Sequence, residues 1–237
     1  SGRLGVLKLQ HDDPEAAEQW LWDALRFARS SGDPRALVDV NLSLGYFYTR
    51  RDMLSLSATA FEASLENALE NKLIGAELAA RSALAGLDRL QGLLDRAEQT
   101  FRQVAERAQA SGLEVAALNA RLHLGICAWN RDDARTALEA FEDVRRGARG
   151  NLFTLEFYAC IGAAWAYCVD KDWEEAEMCL IQAEDLRYDV RLKDPEAELL
   201  RLSLRELASS SHRLDIVERI DKLDVFRSRT ASTQHSL

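Results

Sequence analysis

The chain has 237 residues, of which 47% are hydrophobic and 29% charged, a composition typical of a soluble globular protein. The 30 Lys and Arg residues against 39 Asp and Glu residues give a net charge of −9, which argues against binding to a nucleic-acid backbone. No apolar run approaches the roughly 18 residues of a membrane span, and the first residues lack the apolar core of a signal peptide, so we expect a cytoplasmic protein.

The chain is predicted to consist of helices joined by short turns. Ala, Leu, Glu and Arg dominate, and the alternating β-branched runs of strands are missing. A proline follows Asp13, Asp33 and Asp194, which signals a helix start, because Asp accepts from free N–H groups and Pro lacks one. Short polar turns force successive helices to run antiparallel. The predicted helices cover 3–10, 14–31, 34–50, 54–71, 73–91, 94–110, 113–130, 134–148, 152–170, 173–188, 195–208 and 213–223.

A pattern of large and small residues recurs every 40 residues. Phe61, Phe101 and Phe141 are 40 residues apart, and a one-residue slip adds Leu21 and Leu180. Fixed self-similarity at this length is typical of a helical repeat array. Each large residue should therefore be buried between helices. Small residues stand four and sixteen positions earlier: Ala17, Ser57, Ala97, Ala137 and Ala176, and Gly5, Gly45, Ala85, Gly125 and Ala164.

This pattern resembles the tetratricopeptide repeat (TPR). Gly45 and Tyr48 in the first helix of a pair (helix A), followed by Ser57, Phe61 and Ser64 in the second (helix B), match its signature. The resemblance implies an all-α fold, a right-handed superhelical solenoid of antiparallel helix pairs. A repeat of 40 residues rather than about 34 is similar to the repeats of kinesin light chain and of bacterial signalling regulators. HEAT-like pairing is the structural alternative.

Three parts of the chain are expected. Residues 1–190 should form a TPR array of about five repeats with the first truncated, 191–224 capping helices, and 225–237, which is rich in Ser and Thr, a disordered tail. The truncated repeat should leave an apolar edge that self-associates or packs against an upstream segment, because large apolar patches seldom stay exposed. That edge consists of Leu4, Leu7, Trp20 and Leu21.

The resemblance also implies a concave groove, lined by the A helices, in which a protein or peptide segment lies. Trp, Tyr and Arg dominate binding hot spots, so affinity should centre on Trp129 and Trp165, while Arg50 and Arg89 favour acidic groups. Alternatively, the aromatic residues only fill the space between successive A helices. The candidate groove residues are Asp39, Tyr46, Arg50, Arg89, His123, Trp129, Asn130, Tyr158 and Trp165.

The sequence offers no catalytic motif, and we predict neither a cofactor nor a metal. Phosphate-binding, dinucleotide-binding, zinc-protease and serine-hydrolase motifs are all missing. The adjacent acids Asp132 and Asp133 are interpreted as part of a helix-capping turn rather than as a pair of catalytic carboxylates. The cysteines form no C-x-x-C pair and are expected to be buried thiols in a reducing compartment. They are Cys127, Cys160, Cys168 and Cys179.

The leading interpretation is a non-catalytic TPR scaffold module that binds a protein or peptide and belongs to a larger cytoplasmic protein. The alternative is a regulatory domain that senses a ligand or peptide and controls an attached transcriptional or signalling effector. Neither interpretation involves direct contact with nucleic acid or membrane.

Overall fold

The computed structural model describes residues 14–186 and 195–223, and over these ranges every regular element is an α-helix. The prediction of an all-α fold is confirmed. Within the same ranges no helix combines the length and the apolar run that a membrane crossing needs. The helices are α1 (Pro14–Ser31), α2 (Pro34–Arg50), α3 (Leu54–Glu70), α4 (Ile74–Leu90), α5 (Leu94–Ala110), α6 (Glu114–Trp129), α7 (Ala134–Ala148), α8 (Phe153–Val169), α9 (Trp173–Leu186), α10 (Pro195–Ser210) and α11 (Leu214–Lys222).

These bounds agree with the helices predicted from sequence to within two residues at each end. The predicted helix at 3–10 and the predicted tail at 225–237 lie outside the described residues. The division into a repeat array, capping helices and a tail stays a prediction.

The turns between helices share one backbone device. Each turn that lies within 14–186 or 195–223 holds a residue in the left-handed region, with φ between 54° and 79°, which ends the preceding helix. In most of these turns the N–H of the next residue donates to a carbonyl five positions earlier, as Met53 does to Tyr48 and Leu113 to Ala108, both at 2.9 Å. In the first six turns these residues stand 20 apart, so each helix and its turn together span 20 residues. They are Gly32, Asp52, Lys72, Gly92, Gly112 and Asp132.

Aspartates cap the starts of two helices, as the sequence predicted. The Asp33 carboxylate accepts from the Arg35 N–H at 3.0 Å, with Pro34 in the first turn of α2. The Asp133 carboxylate accepts from the Thr136 N–H at 3.1 Å, and hydrogen bonds from Thr136 lower the pKa of Asp133. The interpretation of these acids as capping groups is confirmed.

The large residues of the repeat form the contacts between helix pairs. Phe61, Phe101 and Phe141 are each at most 1% exposed, so their predicted burial is confirmed. A Cβ added to Gly45 would lie 2.2 Å from the Phe61 ring, and one added to Gly125 would lie 2.8 Å from the Phe141 ring. The small residue sixteen positions earlier is therefore needed for the helices to approach.

The chain divides into two compact units, with the division between Ala120 and Arg121, inside α6. In the first unit (unit 1), α1 packs on α2, α2 on α3, α3 on α4 and α4 on α5, and α2 also contacts α4. In the second (unit 2), α8 packs between α7 and α9, α10 packs on α8, and α11 contacts α9 and α10. The antiparallel ladder of helix pairs is thus present within each unit.

A buried carboxylate joins two helices of unit 1. Glu77 on α4 is 4% exposed and receives Nη2 of Arg107 on α5 at 2.8 Å and Nε of Arg81 at 2.8 Å. Desolvation acts to raise the pKa of Glu77, but the hydrogen bonds and charges of Arg107 and Arg81 outweigh it and hold the pKa below its ordinary value. Glu77 is therefore ionised in the folded chain and stabilises the α4–α5 pair.

All four cysteines are buried and free, as predicted. Burial raises the pKa of Cys160, Cys168 and Cys179 to about 12. These thiols stay protonated at neutral pH and act as small apolar groups in the core.

Candidate binding groove

An open groove lies on the A-helix face of unit 1. The first of its two depressions, about 580 Å³ in volume, lies between α2 and the start of α4. The second, about 590 Å³, lies between Tyr46 on α2, the middle of α4 and the start of α6. Gly75 and Ala79 line both depressions, which therefore form one surface. We call this surface the unit 1 groove.

One stripe on each of the A helices α2, α4 and α6 lines the unit 1 groove. The α2 stripe consists of Arg35, Asp39, Leu42 and Tyr46, which stand at i, i+4, i+7 and i+11 and so share one side of the helix. The 40-residue repeat carries the same register to the other A helices. In α4 it gives Gly75, Ala79, Ser82 and Gly86, and in α6 it begins with Val115 and Asn119.

The α4 stripe forms the floor of the groove because its side chains are small. Gly75, Ala79 and Ser82 leave the helix surface low between the larger residues of α2 and α6. A Cβ added to Gly86 would meet no atom within 4 Å, and one added to Gly75 would only touch Leu113 at 3.9 Å. The core therefore does not require these two glycines, and their small size keeps the groove open.

Tyr46 is the large aromatic residue of the groove. The residue is 52% exposed, and its ring makes an edge-to-face contact with the Phe61 ring, with centroids 5.1 Å apart and an angle of 70° between the planes. Phe61 is itself in the core. Tyr46 is thus held in place from below and offers its remaining surface to the groove.

The nine groove residues predicted from sequence are divided between the two units, with four in unit 1 and five in unit 2. Asp39 and Tyr46 line the unit 1 groove, and Arg50 is exposed at the last residue of α2. Arg89 is half-buried on α4. In unit 2, His123 and Trp129 are half-buried and Asn130 is exposed.

Tyr158 and Trp165 require a correction. Both were predicted to line the concave groove, but they are 8% and 4% exposed and belong to the core of unit 2. Helix α10 packs on α8, and the residues of α8 from Glu156 to Ala166 are all buried. A signal for this was present in the sequence, because α8 is apolar on every side, which is typical of a buried helix.

The predicted apolar edge at the N-terminus also requires a correction. Leu21 is fully buried in the cluster that joins α1 to α2, so it cannot be part of an exposed edge. Trp20 is 37% exposed. Leu4 and Leu7 lie outside the described residues, and self-association through this end stays a prediction.

Sequence reasoning missed Arg35 and Lys72, which line the first depression. Arg35 could have been found by extending the α2 stripe one turn back from Asp39. Lys72 could not, since it belongs to the turn before α4, where its φ of 54° decides which way the chain continues. Within the described ranges, no group of three His, Cys, Asp or Glu side chains converges as metal ligands would.

Solved structures of repeat proteins are similar to this chain. BtubC from P. vanneervenii has a TM-score of 0.65 at 14% identity, covering 90% of this chain and 89% of that chain. A Rap protein complexed with Competence and Sporulation Factor has a TM-score of 0.69 at 12% identity, covering 92% and 70%. The nearly identical TPR-like repeats of P. anserina have a TM-score of 0.60 at 17% identity, covering 86% and 99%.

These likenesses establish the fold. The chain has a TPR-like fold of antiparallel helix pairs, and the resemblance inferred from the spacing of large and small residues is confirmed over the HEAT-like alternative. No protein-family model matches the sequence, and no curated protein matches it either.

Proposed function

We propose that the chain is a non-catalytic binding module that holds a peptide or an extended protein segment in the unit 1 groove. The observation that carries this proposal is the floor of small side chains on α4. In α8 the positions equivalent to Ala79 and Gly86 hold Tyr158 and Trp165, which are buried. Equivalent positions are thus occupied by large buried side chains on α8 and by small side chains on α4. The small side chains on α4 leave the space that a bound peptide would occupy.

Tyr46 is the residue that we expect to contribute most affinity. Tyrosine is enriched among hot-spot residues, and a ring already held in place loses little entropy when a partner binds. The contact with Phe61 holds the ring in this way. Truncation of Tyr46 to Ala should weaken binding by about thirtyfold, in line with a hot-spot cost of at least ~2 kcal/mol.

The dimensions of the groove favour a chain over a compact ligand. Arg35 and Tyr46 are eleven positions apart on α2, which is about 16 Å along the helix axis. About five residues of extended peptide span that length. The likeness to a Rap protein complexed with a factor supports a ligand-binding role for this fold.

A displayed library of random heptapeptides, panned on the full chain, tests the proposal. Recovered peptides should bind the unchanged chain and lose binding to Ala79→Tyr, which places on α4 the side chain that α8 carries at the same position. The matched control is Ala110→Tyr, because Ala110 is exposed on α5 and lies outside the groove. Circular dichroism and urea unfolding should show both variants folded.

The two variants give distinct outcomes. Binding that is lost in Ala79→Tyr and kept in Ala110→Tyr supports the groove. Peptides that bind Ala79→Tyr as tightly as the unchanged chain would show that the ligand contacts another face. Failure to recover any peptide above background on the unchanged chain would reject peptide binding itself.

A regulatory sensor that controls an attached effector is the second candidate. The likeness to the Rap protein complexed with Competence and Sporulation Factor favours it. For this function, a recovered peptide should change the small-angle scattering profile of the chain. Both candidates suit a cytoplasmic location, where buried free thiols stay reduced.

A further inference from the structure

We propose that the occupant of the unit 1 groove carries an acidic side chain that lies between Arg35 and Lys72, followed by apolar residues that lie toward Tyr46. This inference rests on the proposed function and adds the chemical class of the ligand. It depends on where charge and apolar surface stand along the groove.

Two cationic side chains line the first depression. Arg35 and Lys72 are both exposed, and neither side chain forms an ion pair with any residue in 14–186 or 195–223. Among the described residues, Asp39 is the one acid that lines this depression. The depression therefore has an excess of one positive charge on a chain whose net charge is −9.

Such a local excess favours an acidic ligand group at this position. Several cations on other parts of unit 1 pair with acids of the chain instead, as Arg96 does with Asp88 and Arg102 with Glu98. Complementary charge at a groove steers association and fixes the register of the partner more than it adds affinity. The Arg35–Lys72 pair would thus set where along α2 the ligand starts.

The rest of the groove is mainly apolar, with Ser82, Glu114 and Asn119 as its polar residues. Ile74 is 46% exposed at the first residue of α4, and Val115 is 56% exposed at the start of α6. With Leu42 and Tyr46 they offer contacts to aliphatic or aromatic ligand side chains. Glu114, which also lines the second depression, lies in the first turn of α6, where its charge favours its own helix and disfavours a second acidic ligand group.

The geometry limits the ligand's spacing. The eleven positions from Arg35 to Tyr46 correspond to about 16 Å, or about five extended residues. An Asp or Glu should therefore precede a large apolar residue by about four or five positions in the ligand. A ligand with both features at another spacing would reach only one of the two ends.

The peptides recovered by panning on the unchanged chain test the inference directly. They should be enriched in Asp or Glu at one end and in large apolar residues about four or five positions on. Arg35→Gln and Lys72→Gln should each lower the affinity for such a peptide by about two- to fivefold, which is the range for exposed charge pairs. The effect of each variant should be smaller at high salt. Asp39→Asn should strengthen it by a similar factor.

The opposite signs at Arg35 and Asp39 make the result decisive, because the two residues lie one helical turn apart. The matched control is Arg29→Gln on α1, an exposed arginine outside the groove that changes the net charge by the same amount. An equal effect of Arg29→Gln would show that only the overall charge matters and would overturn the inference. Reversed signs would show a basic ligand and would overturn it as well.

The failure of this inference is distinguishable from the failure of the proposed function. Peptides that lose binding to Ala79→Tyr but carry no acidic enrichment, and that respond to none of the charge variants, would leave the groove as the binding site and overturn the acidic ligand. Peptides indifferent to Ala79→Tyr would overturn both.

Discussion

The close approach of α2 to α3 makes a specific prediction for Gly45→Ala. A Cβ at Gly45 would lie 2.2, 2.3 and 2.7 Å from Cε1, Cδ1 and Cζ of Phe61. Carbon atoms pack best at roughly 3.5–4.0 Å, so the added methyl overlaps the ring by about 1 Å. The ring cannot retreat, because Phe61 is 1% exposed and packs against Ala83 and Leu87 on α4.

The expected cost follows from two opposing effects. Overpacking of a filled core costs about 1–3 kcal/mol, and a ring confined on both sides belongs at the upper end. Alanine regains about 1 kcal/mol of helix propensity over glycine. Gly45→Ala should therefore lower the free energy of unfolding by about 2 kcal/mol. Gly86→Ala, with no atom within 4 Å of its added Cβ, should instead raise it by about 0.5–1 kcal/mol.

Urea unfolding followed by circular dichroism measures both variants, which lie in the same unit. With a slope of about 1–3 kcal/mol/M, Gly45→Ala should move the midpoint down by about 1 M and Gly86→Ala slightly up. Adding Phe61→Leu to Gly45→Ala should cost less than the sum of the two single changes, since the smaller side chain makes room. Equal shifts for the two glycine variants, or strict additivity, would refute the packing argument.

The described contacts yield three further predictions. Glu77→Gln should lower the free energy of unfolding by about 2 kcal/mol, which is less than for a fully buried ion pair because Arg107 is half-exposed. The unchanged chain has this stability in full above the ordinary pKa of Glu and loses it as the pH falls through the lowered pKa of Glu77. Urea unfolding at a series of pH values should show the pH dependence in the unchanged chain and its loss in Glu77→Gln. Gly112→Ala, at φ 68°, should lose about 1 kcal/mol of unfolding free energy, whereas Asp52→Gly, at φ 58°, should gain a similar amount, both measured by urea unfolding. Trp165→Ala should lower the free energy of unfolding by about 3–5 kcal/mol, seen as a lower melting temperature, and should leave peptide affinity unchanged.

Local patterns of the sequence were sufficient to predict the helices and their pairing. The helix ends depend on capping groups and turn residues that act within a few positions, such as Asp33 and Asp133. The burial of Phe61 and Phe141 depends on a periodicity that repeats every 40 residues. Helix ends and the burial of the repeated large residues can therefore be predicted from the order of residues along the chain, without knowledge of which helices contact each other.

The open or closed state of an A helix depends instead on what packs on it. The sequence suggested the same face for α2, α4, α6 and α8, but α8 packs on α10 as well as on α7 and α9, and its Trp165 is buried. Likewise, Lys72 joins Arg35 only because the turn before α4 returns the chain to α2. Contacts between residues far apart in sequence decide these features, and a repeat pattern does not contain them.

A single repeat register explains both the groove and its closed counterpart. In every A helix, the residues ten, six and three positions before the small anchor and one position after it belong to one stripe. In α8 this stripe carries Tyr158 and Trp165 and is filled. In α4 it carries only small side chains, and the space above the helix is open at Gly86, where an added Cβ would meet no neighbour. Because the described turns from Gly32 to Asp132 recur every 20 residues, side-chain size within this stripe acts together with the helices packed on it to set which A helix keeps an accessible face. The proposed binding therefore requires the side chains of the α4 stripe to stay small, and Ala79→Tyr is the most direct test of that requirement.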